Sequence, residues 1–401
     1  MILLKPYRCP RLQDEPYALP LAPLDFEPLA RRLLPRPLFA YVSGAVEDEL
    51  SAIANRASFL DYSFLPNVLV DVAHVDTSVR LLGQTYSSPI GIAPMGIAAL
   101  TSYRGDIVLA RAAAQAKAPC IMSGSSLIHL EEVMEQAPGT WFQAYLPGEG
   151  KQINALIDRV AAAGVETLVL TVDTPVAANR ENNVRAGFST PLRPSLRLAA
   201  QGLLHPRWLL GTFLRTLIVH GMPHFENNYA TRGAPILSRN VLRDFSDRGH
   251  LTWEHVIDIR RRWKGKLIIK GILNPRDAVK AQHIGAEAVI VSNHGGRQLD
   301  GSVAPLKILP RIVDAVPDMT VMLDSGVRRG TDAMKAMALG AKAVFIGRPF
   351  NYAATVAGEE GVRHALKLIG AELKRDLGLL GVARPEDLGV ENLFSSIEPE
   401  Q

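Results

Sequence analysis

The chain has 401 residues, 47% apolar and 21% charged, the balance of an ordinary soluble core. Its 44 basic and 40 acidic residues leave a net charge of +4, and no basic run with interleaved aromatics points to nucleic acid. Cys9 and Cys120 lie far apart and in no metal-ligand spacing, and no uncharged apolar run reaches about 18 residues. A disulfide framework, a metal site, a signal peptide and a spanning helix are therefore not expected, and a cytoplasmic location is.

Residues 1–88 read as a cap segment, with a helical stretch near Pro37–Phe59 and extended segments near Val68–Leu82. Short apolar runs then alternate with helical stretches. They are Pro89–Pro94, Cys120–Gly124, Thr140–Leu146, Thr167–Asp173, Lys266–Ile272, Ala288–His294, Thr320–Gly326 and Ala343–Arg348. Each suits a strand buried on both faces. Gly164, Gly285 and Gly340 stand shortly before a run, where a helix C-cap falls. Eight such units predict a (β/α)₈ TIM barrel over 89–380, within one domain spanning 1–401. An open doubly wound sheet is the alternative. The barrel is preferred because polar residues end nearly every run, and a barrel gathers those ends on one face.

Between the fourth and fifth runs lies a long insert, 176–253. Its stretch SLRLAAQGLLHPRWLLGTFLRTLIVHGM mixes Leu, Trp, Phe and Ile with arginines. Arg185, Arg193, Arg197, Arg207, Arg215, Arg232, Arg239, Arg243 and Arg248 face the acids Glu226, Asp244 and Asp247. A basic amphipathic segment of this kind suits a lipid headgroup layer. An amphipathic helix packed on the barrel or on a neighbouring subunit is the other reading.

The chemistry-bearing residues sit at run ends. In SNHGGRQLD, His294 is suited to taking a proton near neutral pH, and Arg297 to gripping a carboxylate through two hydrogen bonds. In TVDTPVAANR, Asp173 is placed to orient a histidine, unless it serves as a helix N-cap, and Arg180 to add a second cationic grip. The glycine-containing DSGVRRG and GRP follow the last two strands, the usual phosphate site of a barrel, with Arg328 and Arg348 adding charge. Asp324 would repel phosphate and better suits a sugar-like hydroxyl. Lys270 ends the fifth run, as a counter-charge for a reduced ring or as a salt-bridged barrel lysine. Ser123, Gln143 and Thr171 also fall at run ends and suit a polar heterocycle edge. No GxGxxG opens a βαβ unit, which argues against a nicotinamide dinucleotide.

SNHGGRQLDG, DSGVRRGTD and LTVDTP, in that order and spacing, resemble the FMN-dependent α-hydroxy acid dehydrogenase and oxidase family, from about Pro37 to Gly381. The pattern is most similar to the bacterial (S)-mandelate and L-lactate dehydrogenases of that family. The resemblance implies FMN at the C-terminal mouth of the barrel. It implies His294 as the base, Asp173 as its partner, Arg180 and Arg297 as ligands of the substrate carboxylate, and Tyr145 beside the substrate. Pro94, Met95, Gly96, Ser123, Gln143, Thr171, Lys270 and Ser292 become flavin-ring contacts. Asp324, Gly326, Arg328, Gly347 and Arg348 become ribityl and phosphate contacts. The implied reaction oxidises an L-2-hydroxy acid to the 2-keto acid.

HPRW followed by HGMPHFENN resembles the membrane-binding segment of mandelate dehydrogenase. That favours a dehydrogenase peripheral to the inner face of the cell membrane, passing electrons to a quinone, over a soluble oxidase releasing hydrogen peroxide. A homotetramer is implied by the same likeness. The chain departs from the family at Ala40, where a tyrosine that touches the carboxylate is usual. Tyr41, the next residue, is expected to point elsewhere, weakening carboxylate binding by about 1 kcal/mol. Ser125 and Ala177 are also small, so the pocket is expected to be roomy and the substrate larger than glycolate or lactate.

Overall fold

The computed structural model describes residues 20–146, 148–189, 196–238 and 248–395. Its centre is a sheet of eight parallel strands: β1 Ile90–Ile92, β2 Ile121–Ser123, β3 Trp141–Ala144, β4 Thr167–Thr171, β5 Lys266–Ile272, β6 Ala288–Val291, β7 Thr320–Asp324 and β8 Val344–Ile346. Each pairs with the next in sequence, and β8 returns to β1 through Val344–Ile90, Phe345–Gly91 and Ile346–Ile92. A parallel bridge between Ile92 and Cys120 closes the ring. All eight apolar runs thus supply a strand; seven are shorter than the run, and β5 matches its run in full.

Eight helices cover the ring: α1 Gly105–Gln115, α2 Leu130–Gln136, α3 Gly150–Ala162, α4 Trp253–Arg262, α5 Pro275–Ile284, α6 Pro305–Ala315, α7 Gly330–Ala338 and α8 Arg348–Leu380. The last is two helices meeting at a kink, where Ala357 and Gly358 leave helical geometry. Gly164, Gly285 and Gly340 all take positive φ just past a helix, as their positions predict.

Strand alternation sorts the side chains into two cores. Leu168 and Leu170, Leu267 and Ile269, Val289 and Val291, and Val321 and Leu323 face the helices. Ile121, Trp141, Val169, Ile268, Ile290, Met322 and Phe345 fill the barrel interior. The interior is plugged at its N-terminal end by an antiparallel hairpin, Val79–Leu81 with Gln84–Tyr86, whose Leu81 and Tyr86 join that layer.

The cap differs from the sequence expectation in detail. The helical stretch 37–59 divides into helices Arg36–Ser43 and Leu50–Ala57. Between them Glu47 and Glu49 take left-handed φ of 49° and 61°, and the Glu49 carboxylate accepts the Ala45 N–H at 2.9 Å. Of the extended segment 68–82, only Val79–Leu81 finds a strand partner. Tyr62–Phe64 pairs instead with Leu393–Ser395, joining the cap to the C-terminal end of the described chain. A pairing at such sequence separation leaves no local signal.

Candidate active site

The chemistry sits one pleat above the apolar interior layer. Two residues beyond Ile121, Trp141, Val169, Ile268, Ile290 and Met322 come Ser123, Gln143, Thr171, Lys270, Ser292 and Asp324, all buried. The period of two that points the first set inward points the second set inward as well, at the C-terminal rim. Lys270 Nζ lies 2.8 Å from Asp324 Oδ2 and donates to Ser292 Oγ at 2.8 Å. Burial alone would disfavour its charge, but Asp324 and Asp173 outweigh burial and raise its pKa. Lys270 is thus held in an ion pair within the barrel and also lines the cavity above it. Ser123 Oγ donates to Gln143 Oε1 at 3.1 Å. Gln143 Nε2 and Thr171 Oγ1 are buried without a partner among the described residues.

Above this layer opens a cavity of about 670 Å³. His294, Arg180, Arg297, Tyr145, Lys270 and Asp324 line it, together with Pro94, Met95, Gly96, Gly326, Arg328, Gly347 and Arg348. Ser123, Gln143, Thr171, Ser292 and Asp173 do not line it. The first four lie in the layer beneath, and Asp173 stands behind the histidine.

His294 Nδ1 is 2.9 Å from Asp173 Oδ1. That contact fixes the ring and leaves Nε2 as the other nitrogen. Gly271, at φ 104°, lets Asp173 stand there: a Cβ on Gly271 would lie 2.7 Å from Asp173 Cβ. His294 itself holds a left-handed φ of 59°, with its N–H on Ser292 Oγ at 3.0 Å. Such a backbone costs about 1–3 kcal/mol and persists only where its surroundings fix it. Burial, opposed by Asp173, lowers the His294 pKa, so the imidazole is neutral at neutral pH. Asp173 stays below the usual carboxylate range, because His294 and Lys270 override its burial.

Two cationic groups flank this pair. Arg180 donates to Gln298 Oε1 at 2.9 Å and to the Arg297 carbonyl at 3.2 Å. Arg297 donates to the carbonyls of Gly44 at 2.8 Å and Val42 at 3.3 Å. Burial first, then Arg180 and Arg348, push Arg297 down to about 9. A guanidinium does not surrender its proton in a protein; a bound anion relieves the same repulsion. At the other end, Arg348 donates to the carbonyls of Val42, Gly44 and Gly295. Burial, with Arg348 and Arg56 nearby, lowers Arg328 to about 10. A smaller cavity of about 110 Å³ beside it is lined by Arg56, Arg328 and Arg348, and also by Glu27 and Glu49.

A family model described as FMN-dependent dehydrogenase matches residues 30–395. The chain belongs to the FMN-dependent α-hydroxy acid dehydrogenase family. An L-lactate dehydrogenase of Caulobacter vibrioides is 40% identical over 367 residues, 89% of this chain and 93% of that protein. One of Xanthobacter autotrophicus is 38% identical over 383 residues, 93% of this chain and 96% of that one. Among solved structures, a monotopic membrane (S)-mandelate dehydrogenase superposes with a TM-score of 0.87 at 33% identity, covering 94% of this chain and 100% of that one. A soluble mutant of the membrane-associated (S)-mandelate dehydrogenase from Pseudomonas putida gives 0.79 at 31% identity, covering 94% and 99%.

The residues present fit the FMN of this family. The unpartnered Gln143 Nε2 and Thr171 Oγ1 offer hydrogen bonds to a heterocycle edge. The half-buried Arg328 and Arg348, beside the left-handed Gly295 and Gly326, supply charge and open backbone for a phosphate.

Several residues of this family member's site escaped the sequence reading. Arg56 reaches the smaller cavity beside Arg328 and Arg348 from the cap and pairs with Asp332 at 2.8 Å. Ser325 Oγ donates to Asp324 and accepts from Gly295 N–H, tying two loops together. Tyr41 corrects an expectation: its side chain lines the cavity, with the Arg297 guanidinium 5.0 Å from its ring centroid and the Phe188 ring at 4.8 Å. The helix Arg36–Ser43 lies across the mouth and turns this position inward. The insert's arginines are also less available than their number implies. Arg185 pairs with Glu181, Arg232 with Glu226, and Arg215 stacks on Tyr103. Arg193, Arg239 and Arg243 lie outside the described residues, as does the side chain of Arg197.

Proposed function

We propose that the chain oxidises an L-2-hydroxy acid larger than lactate to its 2-keto acid and passes the electrons to a quinone-type acceptor at a membrane surface. The observation that carries the chemistry is the His294–Asp173 pair at 2.9 Å, facing a cavity that also holds Arg180 and Arg297. Bound at the mouth, FMN supplies the two-electron acceptor. Pro94, Met95, Gly96, Ser123, Gln143, Thr171, Lys270 and Ser292 would surround its ring. Asp324, Gly326, Arg328, Gly347 and Arg348 would hold its ribityl phosphate.

The chain's own residues do the rest. Arg297 and Arg180 grip the substrate carboxylate and fix which face of the α-carbon is presented. Tyr145 contacts the substrate from the rim of β3. His294, neutral at rest, accepts the substrate's proton at Nε2, and Asp173 stabilises the imidazolium that forms. Lys270, held charged by Asp324, keeps a positive charge under the mouth.

Small side chains at Ser125 and Ala177, which line the cavity, support a bulky substrate, although Tyr41 and Phe188 add aromatic wall to it. The curated relatives are lactate dehydrogenases by name, which favours lactate instead. Anaerobic bleaching of the flavin across a panel decides: lactate outrunning both mandelate and 2-hydroxyoctanoate would sink the larger substrate.

Membrane contact is supported by the insert. Leu203, Leu204, Leu210, Ile218 and Val219 are exposed on its helices Leu196–Leu204, Leu209–Leu214 and Arg215–His220. No described helix is long and apolar enough to cross a membrane, so the contact is peripheral. Reduction of a quinone analogue without oxygen uptake is expected; rapid hydrogen peroxide release would favour the soluble oxidase.

A further inference from the structure

Arg248 belongs to no motif of the barrel. It lies on the return limb of the insert, just before α4, among residues whose basic character suggested a lipid-facing surface. The structure places it otherwise: Arg248 is only 4% exposed and lines the active-site cavity. Its guanidinium carbon lies 4.2 Å from the Tyr145 ring centroid, and its Nη1 donates to Thr174 Oγ1 at 3.3 Å. Thr174 directly follows Asp173, the carboxylate bonded to His294. One planar cation therefore touches both the rim of β3 and the loop after β4. A cation over an aromatic face is most effective when both partners are shielded from water, as here.

We infer that Arg248 is a positioning residue for Tyr145. It holds the phenol ring face-on, so that the hydroxyl is presented to the substrate, and anchors that arrangement to the loop carrying Asp173. The insert thus contributes to the reacting centre as well as to the surface. This rests on Tyr145 facing the substrate, the role proposed above.

The test is a double-mutant cycle in the FMN-loaded full-length enzyme, using Arg248→Gln, Arg248→Lys, Tyr145→Phe and the paired variants. Arg248→Gln is expected to lower kcat/KM about tenfold. Arg248→Lys should recover part of that loss, because the charge remains and the planar stack does not. In the Tyr145→Phe background, Arg248→Gln should cost less than about twofold, since no hydroxyl is left to present. The affinity for the 2-keto acid product, read from flavin absorbance, should show the same non-additivity. Additive losses in both readouts overturn the inference. If Tyr145→Phe alone changes nothing, the substrate-facing role of Tyr145 fails instead. Thermal unfolding of each variant separates misfolding from these outcomes, and Arg248→Lys carries the cycle if Arg248→Gln does not fold.

Discussion

The barrel rim and the long insert are built on opposite terms. At the rim, each functional side chain is a fixed two residues beyond an apolar one on the same strand, as with Ile268 and Lys270 or Ile290 and Ser292. Strand geometry alone then decides that both point inward. In the insert, by contrast, two arginines of the same apparent type end in different places: Arg215 lies on the Tyr103 ring, Arg248 against Tyr145 inside the cavity. A repeating element transmits position from sequence, whereas an irregular connection hides it until the chain is folded.

If that contrast is right, variants at the rim should change turnover, and variants on the insert's outer face should change location. The largest effect is expected at His294. His294→Asn should lower kcat about 10³–10⁴-fold while FMN remains bound, as stopped-flow flavin reduction would show; a loss under tenfold would remove it from proton transfer. Asp173→Asn should cost about 10²-fold, from loss of the imidazolium's partner. It should also move the acid limb of the rate profile. Burial already lowers the His294 pKa and Asp173 opposes that, so the limb of kcat/KM lies below about pH 6.5 and shifts to still lower pH without the carboxylate. A shift upward would contradict the assigned pairing.

Gly271→Ala should be smaller and felt in stability. The added Cβ meets Asp173 at 2.7 Å on a φ of 104°, and a loss of about 1–3 kcal/mol is expected in denaturant unfolding. The smallest effect on turnover is expected from Leu210→Glu with Ile218→Glu. These exposed positions should leave kcat within about twofold and shift the protein from the membrane pellet to the supernatant. Unchanged partition would place lipid contact elsewhere.

The eight strands and their helices were legible because short range rules sufficed: apolar runs, glycine C-caps, and polar residues at run ends. The His294–Asp173 pair, 121 residues apart, was legible only through the family motifs that carry the two residues. Arg56 was not, because an arginine on a cap helix carries no mark of the barrel loop it reaches at Asp332. Nor was the inward turn of Tyr41, which depends on how the helix Arg36–Ser43 lies across the mouth rather than on its neighbours in sequence. The pairing of Tyr62–Phe64 with Leu393–Ser395 failed for the same reason, over a far longer separation.

The hairpin that fills the lower end of the barrel makes traffic one-sided. With Leu81 and Tyr86 packed against Trp141 and Phe345, reactant and product share the upper opening, where Val176, Ala177, Phe188 and Phe225 of the insert stand. A chain resting on a lipid sheet through that insert would load and unload along the sheet's own face, so apolar molecules dissolved in the sheet would reach the doorway without crossing bulk water.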